Sequence, residues 1–134
     1  MRNTRKILVA LMLVVTMLVS MAVVASAVKT TTDTPIYLVP STNWKEGNAR
    51  FAVYTWDGGD KWFSMTDPDG DGTYECVLPA GIENIIFCRM NPANSSNTWD
   101  NKWNQTNDLA IPTDGSNCYN VEGWDYGGGY WSTY

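Results

Sequence analysis

The chain has 134 residues, no histidine, and 14 acidic against 9 basic side chains. Three of the bases (Arg2, Arg5, Lys6) fall in the first six residues, so 28–134 holds six bases against fourteen acids, a net charge of −8. That balance excludes a phosphate-reading nucleic-acid surface and an anionic-membrane surface, and it suits a neutral ligand.

In chain order, the first element is the basic head followed by an apolar run from Ile7 to Val24, broken by Thr16 and Ser20. Ala25-Ser26-Ala27 then offers the small residues that a signal peptidase reads. The pattern predicts a signal peptide over 1–27 and a secreted or cell-surface product of 107 residues, 28–134. The alternative for so long an apolar run is an uncleaved membrane anchor. Residues 28–35 are Thr-rich and are expected to form a loose tail. A first strand is predicted at 36–39, stopped by Pro40.

Residues 50–56 give the clearest strand, with aromatic and β-branched residues in alternation. Gly58-Gly59 turns the chain back into a third strand at 61–66. A turn cluster spans 67–72. A fourth strand, 73–78, closes at Pro79-Ala80-Gly81, and a fifth covers 84–90. A polar loop over 91–104 carries Trp99 and Trp103. Short strands follow at 108–111 and 117–121, and Gly127-Gly128-Gly129 precedes an edge strand at 130–134. No helical period occurs after residue 28. The expectation is an all-β fold, a single small antiparallel β-sandwich of immunoglobulin-like or jelly-roll-like type over 36–134.

All seven Trp, seven Tyr and three Phe lie after residue 28. A core this small cannot hold that many rings, so several are expected on the surface as a binding face. Alternation puts Phe51 and Val53 on one face of their strand and Ala52, Tyr54 and Trp56 on the other. A tight hairpin would bring Trp62 near Trp56. Flat rings on one surface suit the apolar face of a sugar, with Arg50, Asp57, Asp60 and Lys61 as polar neighbours. The same pattern is equally compatible with Tyr54, Trp56 and Trp62 as ordinary core.

The remaining residues of note have structural readings beside functional ones. Cys76 and Cys88 fall in strands expected to form a hairpin. The sequence leaves open whether they bond or whether they and Cys118 are buried small apolar residues. Asp67, Asp69 and Asp71 with Gly72 imitate the start of a calcium loop, but Leu78 stands where a bidentate Glu is required; a structural turn is expected, and no metal or cofactor. Arg89 either pairs with a buried acid or reaches ligand. The run Trp103-Asn104-Gln105-Thr106 is read as satisfying buried loop backbone. Trp44 is read as a cap on the core, whereas Trp99, Trp124 and Trp131 carry no assignment. Asn94-Ser95-Ser96 and Asn104-Gln105-Thr106 match the glycosylation acceptor pattern. A small chain without a His base or a deep cleft is not expected to be an enzyme.

Several segments in order resemble starch-binding modules of family 26 of the carbohydrate-binding modules. They are Asn43-Trp44, 49–56, 62–66, Asp69 to Glu75, Ile85 to Pro92 and Trp103 to Leu109, together spanning most of 36–131. The resemblance implies a non-catalytic β-sandwich that stacks glucose units of starch or maltooligosaccharides on Tyr54, Trp56 and Trp62; of the polar neighbours read from the strand and turn, Asp57 and Lys61 are the expected flanking contacts. It also implies other secreted amylolytic proteins as partners. Trp56 departs from the family pattern, where Tyr is commoner. The competing reading is a secreted protein-binding domain, such as an amylase inhibitor or a component of a surface complex. A purely structural reading requires nearly all seven Trp to be buried.

Overall fold

β2 (Arg50–Thr55) shows how the chain builds its layers: apolar side chains leave it on both faces, so both faces need a cover. The computed structural model describes residues 28–134, and the expected signal peptide lies outside them. Around β2 run β1 (Thr34–Val39), a short helix α1 (Thr42–Lys45), β3 (Lys61–Ser64), β4 (Tyr74–Leu78), β5 (Asn84–Met90), β6 (Lys102–Gln105), β7 (Leu109–Ala110), β8 (Cys118–Val121) and β9 (Gly129–Ser132). Single 3-10 turns at Glu46–Asn48 and Trp99–Asn101 complete the order.

The strands form two sheets, β4-β1-β8-β9 and β3-β2-β5-β6, with β7 pairing with the start of β5. This is the expected all-β sandwich. One pairing differs from an all-antiparallel arrangement: β1 and β8 run parallel, Tyr37 opposite Cys118. The inner faces meet in one cluster: Ile36 and Leu38 from β1, Phe51 and Val53 from β2, Leu78 from β4, Ile85 and Phe87 from β5, Tyr119 and Val121 from β8. Each fully buried side chain of this size stabilises the fold by about 1.5–3 kcal/mol. Trp44 closes one end, stacked 6.3 Å from Phe51, because the Ser41 hydroxyl caps α1 and accepts from the Trp44 amide.

The outer face of the second sheet holds a second apolar cluster of Ala52, Tyr54, Ile86, Cys88 and Met90, with Trp62 against it. β5 therefore buries both of its faces.

Four expectations change. The loose tail is tied down, since the Thr30 amide donates to Ile82 O at 3.0 Å, Gly81 N donates to Thr30 O at 2.7 Å, and β1 starts at Thr34. Residues 102–104, expected as the end of the 91–104 loop, form β6 with Gln105 beside Cys88 and Arg89. β4 and β5 do not form a hairpin: Pro79-Ala80-Gly81 carries the chain from one sheet to the other, with Ile82 buried in the crossing. Cys76 consequently faces the inner core beside Ile36, Cys88 lies on the outer face of the opposite sheet, and all three cysteines are free thiols.

Candidate binding site

The candidate site is the outer face of the second sheet at its β2–β3 end. Gly58 and Gly59, at φ 73° and 101°, make the turn that Cβ-bearing residues resist. The turn sets Tyr54 opposite Trp62 in register. Their rings lie 5.0 Å apart at 53°, and Trp56 lies 6.1 Å from Tyr54 at 33°. The three rings named from sequence are thus brought together.

Sequence reasoning missed the fourth ring. The 91–101 loop folds over the sheet and sets Trp99 edge-on to both Tyr54 (4.6 Å, 65°) and Trp62 (4.8 Å, 66°). Arg50 fixes that loop: its Nε donates to Asn94 O at 3.0 Å, Nη1 to Asn97 Oδ1 at 3.1 Å and Nη2 to Ser96 O at 3.3 Å. Asn97 Nδ2 donates in turn to Ser64 Oγ at 2.8 Å, tying the loop to β3. Arg50 is therefore a loop clamp. The available signal was an Asn/Ser-rich stretch with a single indole, preceded by an arginine at a strand start; nothing local in that stretch says where the indole lands.

Trp99 changes the status of Tyr54, which is only 8 % exposed and forms the floor of the cluster. Its hydroxyl donates to Asp60 Oδ1 at 2.8 Å. That bond first, and burial second, raise the Tyr54 pKa, so the phenol stays a neutral donor. The surface rings are Trp56 at 37 % and Trp99 at 42 % exposure, with Trp62 half-buried between them. They form an angular corner, not a flat platform, with Trp99 edge-on to Trp62.

The two flanking polar residues behave differently from expectation. Asp57 Oδ2 accepts from the amides of Glu83 at 2.7 Å and Asn84 at 2.8 Å, which ties the hairpin turn to the start of β5. Lys61 pairs opposite Thr55, and alternation sends its side chain to the face away from Trp62. Asp60 takes their place beside the rings.

The aromatic strip continues across β6. Lys102 Nζ sits 5.5 Å from the Trp99 ring and 5.3 Å from that of Tyr126. At the β6 edge, Arg89 is nearly buried and neither pairs with an acid side chain nor stays free for ligand. Nε donates to Trp44 O at 2.8 Å, Nη2 to Glu46 O at 2.7 Å and Nη1 to Asn104 Oδ1 at 3.0 Å. Its guanidinium stacks between Trp103 (4.6 Å) and Trp124 (5.2 Å). Asn104, Gln105 and Thr106 are buried and bonded: Thr106 Oγ1 accepts from Phe87 N, and Asn104 holds Arg89. This agrees with their reading as structural residues.

Of the seven Trp, Trp44 alone is fully buried, whereas Trp56, Trp99, Trp103 and Trp124 are exposed, which removes the purely structural reading. The aspartate loop is stitched by its own carboxylates: Gly72 N donates to Asp67 Oδ2 at 2.9 Å, Thr73 N to Asp71 Oδ1 at 2.8 Å, and the Tyr134 hydroxyl to Asp71 Oδ2 at 2.9 Å. The ligand oxygens of Asp67, Asp69 and Asp71 lie within 4.8 Å of one another, but Leu78 is locked in the core and offers no closing ligand. A cavity of about 310 Å³ on the first sheet is lined by Pro35, Tyr37, Thr66, Glu75, Cys76 and Val77, well away from the ring cluster in the fold. Burial pushes the Cys76 thiol up to about 12, so it stays protonated and is a poor nucleophile at neutral pH.

No family model, curated protein or solved structure matches the chain.

Proposed function

We propose that this domain binds a neutral polysaccharide on the corner formed by Trp56, Trp62 and Trp99, without catalysis, and that the ligand is an α-glucan such as starch. One observation carries the reading: a clamped loop delivers Trp99 onto Tyr54 and Trp62, and it leaves Trp56 and Trp99 in solvent on the same face. Apolar rings held rigid in solvent mark a recognition surface. Sugar rings suit this one because the neighbouring acceptor, Asp60, serves hydroxyls, and the net charge of −8 discourages anionic ligands. The choice of α-glucan rests on the resemblance to family 26 modules. Tyr54 supplies the base of the corner, and Asp57 holds the turn. Secretion or cell-surface attachment, and co-operation with secreted amylolytic proteins, belong to the same proposal and rest on the N-terminal sequence and the resemblance.

Depletion of the soluble domain by granular starch, with cellulose as control, tests it. Retention on starch alone is the expected result. Retention on neither polymer favours the protein-binding alternative, in which the same indoles serve as interface anchors.

A further inference from the structure

The loop 122–128 is a second device for presenting rings, built independently of the first. Gly123 and Gly127 pack backbone to backbone, so that neither position has room for a Cβ. Glu122 N and Gly123 N both donate to Gly128 O, at 3.1 and 2.9 Å, which closes the loop on itself. It is also fastened outside, by Asn107 Nδ2 donating to Tyr126 O at 2.9 Å and at three further points. Trp44 Nε1 donates to Trp124 O at 2.6 Å, Gln105 N to Asp125 Oδ1 at 3.0 Å, and Tyr126 N to Gln105 O at 2.8 Å.

Tyr126 adopts φ 50°, a left-handed conformation that a bulky residue rarely holds. The strain is not offset by burial, because Trp124 is 51 % and Tyr126 55 % exposed. Trp103, at 40 % exposure, shares the Arg89 guanidinium with Trp124. All the guanidinium nitrogens bond to protein acceptors, so Arg89 orients rings and is not itself an anion site.

From this geometry we infer that Trp103, Trp124 and Tyr126 form a second stacking surface for the same neutral glycan, so that a polymer is gripped at two places on one domain. The inference rests on the function proposed above and extends it. The occupant follows from continuity: Lys102 bridges the Trp99 and Tyr126 rings, so the two surfaces belong to one aromatic strip that crosses β6. A polymer with repeating apolar faces is the ligand that can use separated ring sites in that way. Two-point attachment raises polymer retention well beyond the affinity of either site.

Calorimetric titration with maltotriose, short enough to occupy one ring site at a time, tests the inference on the wild type, on Trp124→Ala/Tyr126→Asn and on Trp56→Ala. The double variant keeps the Trp124 carbonyl, and Asn accepts the left-handed backbone at 126. Should it fail to fold in a thermal melt, Tyr126→Asn alone carries the test, read as weaker binding at one of the two sites. Two equivalents bound by the wild type and one by each other variant are expected. Retention of the double variant on starch is expected to fall on the order of 100-fold. One equivalent bound by the wild type, or two retained by the double variant, overturns the second surface and leaves the first standing. Absence of binding by the wild type overturns the function proposed above and this inference together.

Discussion

The outer faces of the two sheets are built on the same pleat and solve the problem of exposure differently. On the first sheet, β1 and β4 present Pro35, Tyr37, Glu75 and Val77, while β8 and β9 present Asn120, Tyr130 and Ser132, a mixed polar and aromatic surface. Tyr37 there is covered by the C-terminal Tyr134 ring, stacked at 4.3 Å. On the second sheet, β2 and β5 present Ala52, Tyr54, Ile86, Cys88 and Met90, an apolar surface that a clamped loop must cover. The comparison teaches that the cover is itself only half covered: the Trp99 ring that shields Tyr54 is left exposed.

The largest expected difference between the two faces is in stability. Tyr54→Ala should cost about 3–5 kcal/mol, as truncation of a core aromatic does. Tyr37→Ala should cost about 1 kcal/mol, the scale of one aromatic pair. Chemical denaturation of both variants measures the gap, and equal costs would break the distinction between floor and surface.

A smaller effect is expected from the clamp. Arg50→Gln removes the charged donor from Asn94, Asn97 and Ser96 and should destabilise the domain by about 1–2 kcal/mol. Amide exchange over 91–101 should rise while exchange in β5 stays slow. Unchanged exchange in that loop would show that Trp99 is held by ring packing alone.

The smallest effect lies at the C-terminus, on the first sheet. The Thr73 amide and then the Tyr134 hydroxyl hold the Asp71 carboxyl below its ordinary 3.8, whereas the bond to Asp71 pushes Tyr134 from 10.0 up to about 12. The Tyr134 contribution is therefore full below pH 10 and is lost as the pH rises from 10 towards 12. The Asp71 contribution is full above its ordinary carboxylate value and is lost as the pH falls below it. Both groups are exposed, so the change in stability is slight. Tyrosinate absorbance, compared between the wild type and Tyr134→Phe, should reveal one phenol titrating late; an ordinary titration for Tyr134 would place the ring away from Asp71.

Much of this was legible in the sequence. Alternation along 50–56 puts Tyr54 and Trp56 on one face, and the Gly58-Gly59 turn predicts Trp62 near Trp56, whereas the register sets it opposite Tyr54. The predicted strand 84–90 coincides with β5, whose apolar run is Ile85 to Cys88. What escaped depends on distant pairings. Trp99 is placed by bonds from Arg50 to residues more than forty positions away. Pro79-Ala80-Gly81 has the composition of a hairpin turn, and only the competition of β1 for β4 makes it a crossing between sheets. The parallel β1–β8 pair leaves no local mark, and α1, at four residues, is too short to show a period. Lys61 was assigned by nearness in sequence, where alternation decides the face.

The central claim is that exposed indoles on the second sheet bind glucan without supporting the fold. Titration of maltooligosaccharide into Trp56→Ala, alongside its thermal melt, tests this most directly. The account predicts a native melting temperature and a loss of binding on the order of 1–3 kcal/mol, the scale of one stacked ring. A folded Trp56→Ala variant with wild-type affinity would contradict it.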